Sequence, residues 1–268
     1  MTSAHIEKIT IYPLKSGQKV ELEETKVELS GLKFDRKLMI VDKTFRFVTA
    51  RTHPLLLKIN VHRDKQRVIF HFDGENPLIV DLNKISDERL ETKVWGNKMD
   101  PVFVSEIADK WLTNILGIEC HLTYCDSVTN RRKKNDSDNF DVSGFFDSCP
   151  ILIISVESLE DLNKRLKQPV NIDRFRTNLF ITGGGKAYCE EEWKVIKIGD
   201  VLLEALEPCR RCILTTTDNF SLIRDPNREP LSTLKKYHLY KNEPAFGMNY
   251  RVIEPGYFNI NDELKVLS

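Results

Sequence analysis

The sequence predicts a mainly β protein of the α+β type, and three observations carry that prediction. Short runs rich in β-branched and aromatic residues recur through the first hundred positions. Turn signals such as Ser30-Gly31, Asp73-Gly74 and Glu75-Asn76-Pro77 separate them. Helical periodicity shows in only a few segments, the first of them after residue 104. Many short strands with frequent turns favour a small barrel or sandwich.

Taken in order, strands are expected at residues 6–12, 26–29, 37–41, 56–61, 67–72 and 77–81. A helix is expected over 105–116. Ser105 is placed to cap it, Ile107, Trp111, Leu112 and Ile115 supply an apolar stripe, and Gly117 ends it. Residues 127–140 hold the basic run Arg131-Arg-Lys-Lys134 and read as a solvated loop, with a flap over a polar ligand as the alternative. A composition shift near residue 120 divides the chain into two expected domains, 1–120 and 121–268. In the second, residues 149–155 read as a buried strand and 156–166 as a helix with Leu159, Leu162 and Leu166 on one face. Strands follow at 178–182, 193–198, 201–205 and 213–217, then a short helix at 231–237 and closing strands at 250–253 and 264–267. The run Gly183-Gly-Gly185 lacks Gly-Lys-Ser/Thr and a following helix, so it reads as a tight turn and not a phosphate loop.

Bulk composition narrows the function. Forty Lys+Arg offset forty Asp+Glu, which excludes a general polyanion binder and predicts no nucleic-acid partner. The N-terminus has no basic start followed by an apolar run, and no stretch reaches the ~18 apolar residues of a membrane span. The expectation is a cytoplasmic protein without a membrane partner. Six cysteines, at 120, 125, 149, 189, 209 and 212, are too sparse for a secreted disulfide scaffold. They are expected to be reduced, and either buried, metal-binding or catalytic.

The densest chemical signal is Glu207-Pro-Cys-Arg-Arg-Cys-Ile-Leu-Thr-Thr-Thr-Asp218. Its Cys-x-x-Cys pair admits several readings. A structural zinc site needs four ligands, and no second pair is evident. A thioredoxin-like redox pair opens a helix, whereas this one runs into a strand-like segment. Cys209 reads as a core residue. A single thiolate ligand for a transition metal is the remaining option. Arg210 and Arg211 flank it and would favour the anion.

Several further motifs occur in order along nearly the whole chain. They are Tyr12-Pro-Leu-Lys-Ser16, Phe34-Asp-Arg-Lys-Leu-Met-Ile-Val41 and Phe47-Val-Thr-Ala-Arg51. The second half adds Ser158-Leu-Glu-Asp-Leu-Asn163, Arg174-Phe-Arg-Thr-Asn178, Ile198-Gly-Asp200, Cys209-Arg-Arg-Cys-Ile-Leu-Thr-Thr216 and Phe246-Gly247. Together they resemble a MOSC-domain protein preceded by the MOSC N-terminal β-domain, in the manner of the amidoxime-reducing components and their bacterial counterparts. The resemblance implies a MOSC β-barrel domain and a smaller N-terminal β-barrel-like domain.

It also implies a molybdenum cofactor of the molybdopterin type, with Cys212 as the metal ligand. Lys15, Ser16 and Arg36 match residues around the pterin phosphate, and Arg51 could add matching charge. Arg176 and Asn178 match an Arg-x-Asn pair that contacts the cofactor. Asp147, Ser148 and Cys149 fall where pterin contacts are expected, and Asp147 is a candidate for steering protons or substrate. Arg210, Arg211 and Asn249 fill further cofactor positions. Thr177 stands where a proline is usual, Cys149 where a hydroxyl residue is common, and Met248-Asn249 where the animal proteins have Gln-Tyr. The resemblance also suggests pyridoxal phosphate binding as an expectation.

The implied reaction is reduction of N-hydroxylated compounds, amidoximes or hydroxylamines, to amines, with both halves of the chain contributing to one site. The implied electron donor is a separate flavoprotein, cytochrome b5-like protein or iron–sulfur protein. Two alternatives use the same thiol: a sulfur carrier with a persulfide on Cys212, and a carrier of the molybdenum cofactor.

Overall fold

The computed structural model describes residues 4–129, 131–134, 139–142, 144–147 and 149–268. The chain is mainly β, and the described residues include three α-helices: α1 (Glu106–Leu116), α2 (Val156–Arg165) and α3 (Leu231–Tyr237). Two compact units divide it, and neither is continuous in sequence. One holds Met1–Ile11, Glu21–Lys33 and Ser148–Ser268; the other holds Tyr12–Val20 and Phe34–Asp147.

The first unit is built on the largest sheet. There His5–Ile11, Leu179–Thr182, Ile151–Ser155, Glu243–Glu254, Val201–Arg210, Val195–Ile198 and Leu264–Val266 lie side by side in that order. Every pairing among them is antiparallel except Ile151–Ser155 on Leu179–Thr182. Ile151–Ser155 is buried at all five positions, as expected of a continuous apolar run. In His5–Ile11 a register shift between Ile6 and Lys8 lets both Ile6 and Ile9 reach the core. Beneath the sheet, α2 and α3 contribute Leu162 and Leu234 to a cluster with Ile154, Phe175, Cys209 and Phe246.

The second unit carries smaller sheets. One orders Val102–Phe103, Cys120–Tyr124 and Leu38–Asp42; another orders Asn60–Asp64, Arg67–His71 and Leu78–Asp81. Helix α1 begins where the Ser105 hydroxyl accepts from Ala108 N at 3.2 Å, and ends at Gly117 with φ 67°.

Some elements differ from expectation for identifiable reasons. Residues 54–58 form a 3-10 turn, favoured by Pro54 at its start, so the strand begins only at Asn60. The helix stripe is shifted by one position: Ala108, Leu112, Ile115 and Leu116 are buried, while Ile107 is 72% exposed. The expected solvated loop contains an antiparallel pair, Arg131–Lys134 with Asn139–Val142, whose backbone ladder forms whatever charges the side chains carry. Val201–Arg210 runs past the expected end, because register shifts around Glu207 and Pro208 absorb the proline.

Segment 213–217 is the most consequential departure. Ile213–Thr216 is a 3-10 turn, not a strand. Thr215 Oγ1 donates back to Cys212 O at 2.9 Å and Thr216 Oγ1 to Ile213 O at 2.7 Å. Hydroxyls bonding three residues back favour the turn over the extended form that β-branched residues otherwise prefer.

Candidate functional site

The residues singled out by sequence fall into two sets, one in each unit. In the unit built on Phe34–Asp147, the centre is Lys15. Its side chain is 5% exposed, and its ammonium donates to Phe145 O at 2.7 Å and to the Asp147 carboxylate. Trp95 Nε1 donates to the same carboxylate oxygen at 3.0 Å. The Arg51 guanidinium lies 4.7 Å over the Trp95 ring, and Phe47 packs against that ring at 5.3 Å. Crowding by surrounding atoms pushes the Asp147 carboxyl up, but the Lys15 charge, hydrogen bonds from Lys15 and Trp95, and the Arg51 charge outweigh this. They hold it well below the usual carboxylate range. So held, Asp147 is a fixed anion at neutral pH and an acceptor, not a proton donor.

Arg36 has the left-handed φ of 48° and pairs with the fully buried Asp35, whose other oxygen accepts from Tyr12 N at 2.7 Å. The Arg36 guanidinium also lies 4.4 Å over the Tyr12 ring. Ser16 is buried with φ 66°. Sequence reasoning missed Asp35 and Trp95. Asp35 could have been found from its place beside Arg36, whereas nothing local marks Trp95.

In the unit built on the large sheet, the Cys-x-x-Cys pair splits. Cys209 ends a strand and points into the apolar cluster; Cys212 is exposed and the other five cysteines are buried. Burial pushes the Cys120 thiol up to about 11, and burial with the nearby Glu190 charge pushes Cys189 to about 12, so both stay protonated at neutral pH. Cys212 is therefore the cysteine placed to meet something from outside.

The two arginines before it do different work. Arg210 is exposed and meets Glu243 at 3.3 Å. Arg211 turns back: Nε donates to Phe246 O at 2.9 Å, Nη1 to Phe175 O at 2.9 Å, and Nη2 again to Phe246 O. Its backbone N–H donates to Pro244 O at 2.7 Å. These bonds hold the chain just ahead of Cys212, and the threonine turn holds it just behind.

Asn178 is 2% exposed, and its amide joins strands: Nδ2 donates to Thr10 O at 3.1 Å while Oδ1 accepts from Leu152 N at 3.2 Å. Thr177, in the proline position, donates to Leu152 O at 2.9 Å and Leu179 O at 3.0 Å, so it too is tied into the sheet. Arg176 takes a left-handed φ of 53° at the end of the Ile172–Phe175 turn and is half-buried. Asn249 and Cys149 are buried; Ser148 lies outside the described residues. Arg174, from the same motif, pairs with Asp218 at 3.1 Å. Gly247 has φ 76°, and a Cβ there would stand 2.4 Å from Ile154 Cγ1 and 2.7 Å from Ile153 O, which explains the glycine in Phe246-Gly247.

Among the described residues no group of three or more His, Cys, Asp or Glu could hold a metal ion. A lone exposed thiol suits a metal that arrives with most of its ligands already in place. No described helix is long and apolar enough to cross a membrane.

Comparison with known proteins matches both halves. The MOSC N-terminal beta barrel domain accounts for residues 3–119 and the MOSC domain for residues 141–265. The chain is 31% identical over 276 residues to mitochondrial amidoxime reducing component 2 of Homo sapiens, an alignment covering 96% of this chain and 82% of that protein. It is 29% identical over 280 residues to mitochondrial amidoxime-reducing component 1 of Mus musculus, covering 98% and 82%. Neither family description nor either relative's name mentions pyridoxal phosphate. With both domains matched in order and the relatives aligned almost end to end, the chain belongs to the family of MOSC-domain proteins with an N-terminal MOSC β-barrel, the family of the amidoxime-reducing components.

Proposed function

We propose that this protein binds a molybdenum cofactor of the molybdopterin type and reduces N-hydroxylated compounds, amidoximes and hydroxylamines, to the corresponding amines or amidines. The observation that carries the reading is the isolation of Cys212 as the exposed thiol, in the motif position of the family's metal ligand. The donor set fits. One thiolate can complete the coordination of a metal whose other ligands come from a pterin dithiolene, and soft metals accept sulfur.

When bound, the cofactor supplies the two-electron chemistry that cleaves the N–O bond; overall, two electrons and two protons convert the N-hydroxylated compound to product and water. The protein's part is binding, orientation and electrostatics. Cys212 would hold the metal, kept in place by the Arg211 bonds before it and the Thr215 hydroxyl after it. Lys15, Ser16, Arg36 and Arg51 would meet the pterin phosphate, whose charge of roughly −1.5 to −2 suits charge-assisted hydrogen bonds. Lys15 and Arg36 already have carboxylate partners, so the phosphate would share them with Asp147 and Asp35. Arg176, Asn249 and Cys149 would line the pterin. Asn178, its amide engaged by two strands, would act by fixing the backbone that presents Arg176. Asp147 would orient Lys15 and the substrate side of the site as an anion.

The test is elemental analysis for molybdenum in protein from a cofactor-competent host, wild type against Cys212→Ala, followed by turnover of benzamidoxime with a chemical reductant. Near-stoichiometric metal in the wild type and weakened retention in the variant are expected. Metal-free, properly folded wild type would sink the reading; one added sulfur on Cys212 by intact-mass measurement would replace it with a persulfide carrier.

A further inference from the structure

We infer that the cavity walled by Phe45, Phe47 and Trp95 is a binding site for a small flat aromatic carboxylate. The site stands whether or not the chain is a reductase. Two turns there carry residues that their backbone does not suit. Trp95 and Gly96 form the two-residue loop joining the antiparallel strands Thr92–Val94 and Asn97–Met99. Their φ values are 51° and 84°. A loop with both values positive favours Asn-Gly or Asp-Gly over a bulky aromatic at its first place. Phe45 shows the same mismatch, with φ 59° in the turn after Leu38–Asp42. Backbone strain of this kind persists where the surroundings over-determine it, and ligand clamps are one such place.

The surroundings hold both rings in position. Trp95 Nε1 donates to Asp147 Oδ1 at 3.0 Å, with Arg51 over the indole and Phe47 against it. Phe45 is backed by the His121 ring at 5.8 Å, and its carbonyl accepts from Thr92 Oγ1 at 2.6 Å, which ties one turn to the other. A backbone bridge between Arg46 and Lys93 adds a second tie. Despite these contacts Trp95 is 48% exposed and Phe45 40% exposed. Both line a cavity of about 770 Å³, a volume ordinary for a small-molecule site.

The lining says what fits. Aromatic walls favour a flat ring, which packs on them offset or edge-on. Arg46 and Lys93 line the same cavity and are exposed. The acidic residue of the lining is Glu91, which Lys98 engages at 3.3 Å. Asp42 lies near Arg46, but its Oδ1 already accepts from Thr44 N, Thr44 Oγ1 and Arg46 N. Two cations against one engaged carboxylate suit a single negative group on the ring, and an arginine can grip a carboxylate with two parallel bonds. A cationic aromatic would stack as well but would meet like charge, and an aliphatic acid would leave the rings unused.

The test uses the full-length protein from a cofactor-competent host, with 2-naphthoate as probe and 2-naphthylmethanol as its uncharged counterpart, followed by titration calorimetry. Wild type should bind one naphthoate per chain and hold the alcohol at least about tenfold more weakly. Trp95→Asn removes the ring but installs the residue such a turn prefers, so it should melt close to wild type and yet lose about tenfold or more in affinity. Arg46→Glu with Lys93→Glu keeps every ring and should lose about as much. Absence of saturable naphthoate binding overturns the site. So does an affinity that Trp95→Asn leaves unchanged, or an alcohol that binds as tightly as the carboxylate. Should Trp95→Asn melt far below wild type, the charge-reversal variant decides, and an unchanged affinity there overturns the site.

Discussion

Adjacent arginines with opposite duties allow a sharp test. Replacing Arg211 by Met removes the donors that reach Phe246 O and Phe175 O, on residues buried in the core. A hydrogen bond from a charged group contributes about 1.5–3 kcal/mol, so two carbonyls losing theirs set an upper figure of about 3–6 kcal/mol. Arg211 is half-buried, and water can reach part of the gap, which lowers the expected loss to about 2–4 kcal/mol. At about 2–4 °C per kcal/mol for a chain of this size, the melting temperature should drop by about 5–15 °C. Arg210→Met is the internal control: it breaks one exposed ion pair with Glu243 and should cost under about 1 kcal/mol. The assay is differential scanning calorimetry on cofactor-free protein from a host that makes no molybdopterin. A residue that served only to contact cofactor would leave that melting curve unmoved. An Arg211→Met variant that melts with Arg210→Met would refute the tie described here.

Three further outcomes are expected. In native protein, Ellman's reagent should react rapidly with one thiol per chain, and Cys212→Ser should abolish that phase; a surviving fast phase would mean another cysteine is accessible. Gly247→Ala forces a Cβ into Ile154 and Ile153 O at a positive φ, and the combined strain and overpacking should cost about 2–5 kcal/mol in urea unfolding, with a loss under about 1 kcal/mol counting against the close contact. Because the folded protein holds the Asp147 carboxyl below its ordinary value, its pairing with Lys15 stabilises at neutral pH and the contribution fades as acid protonates it. Thermal scans should accordingly show Asp147→Asn below wild type at pH 7 and the gap closing toward pH 3; a gap that widens in acid would contradict the assigned direction.

The sequence was most legible where structure is local. Helix α1 could be bounded at both ends because Ser105 and Gly117 act within one turn of the elements they cap. Helix α3 was likewise visible over 231–237. The threonines of 213–217 misled because their strand preference competes with hydroxyl bonds to carbonyls three residues back, and composition alone does not show which wins. The site was half legible for a similar reason. Cys212 stands out by motif, and its separation from Cys209 follows once the strand ends. The work of Asn178 and Arg211 depends on Thr10, Phe175 and Phe246, partners set by tertiary structure and up to 168 residues distant in the chain. No reading of neighbours finds such partners.

The strand His5–Ile11 pairs with Leu179–Thr182, and this has a bearing on how the protein is made. As the chain leaves the ribosome, that first strand waits for more than half of the polypeptide before its partner exists, which is a high-contact-order closure and a slow one. A fragment beginning at residue 121 would carry Leu179–Thr182 with its outer amides and carbonyls bare, an open edge of the kind that recruits other chains. Such a fragment should aggregate even though it retains the whole of the Cys212 turn, and a His5–Ile11 peptide supplied in trans should suppress that aggregation by filling the vacant place in the sheet.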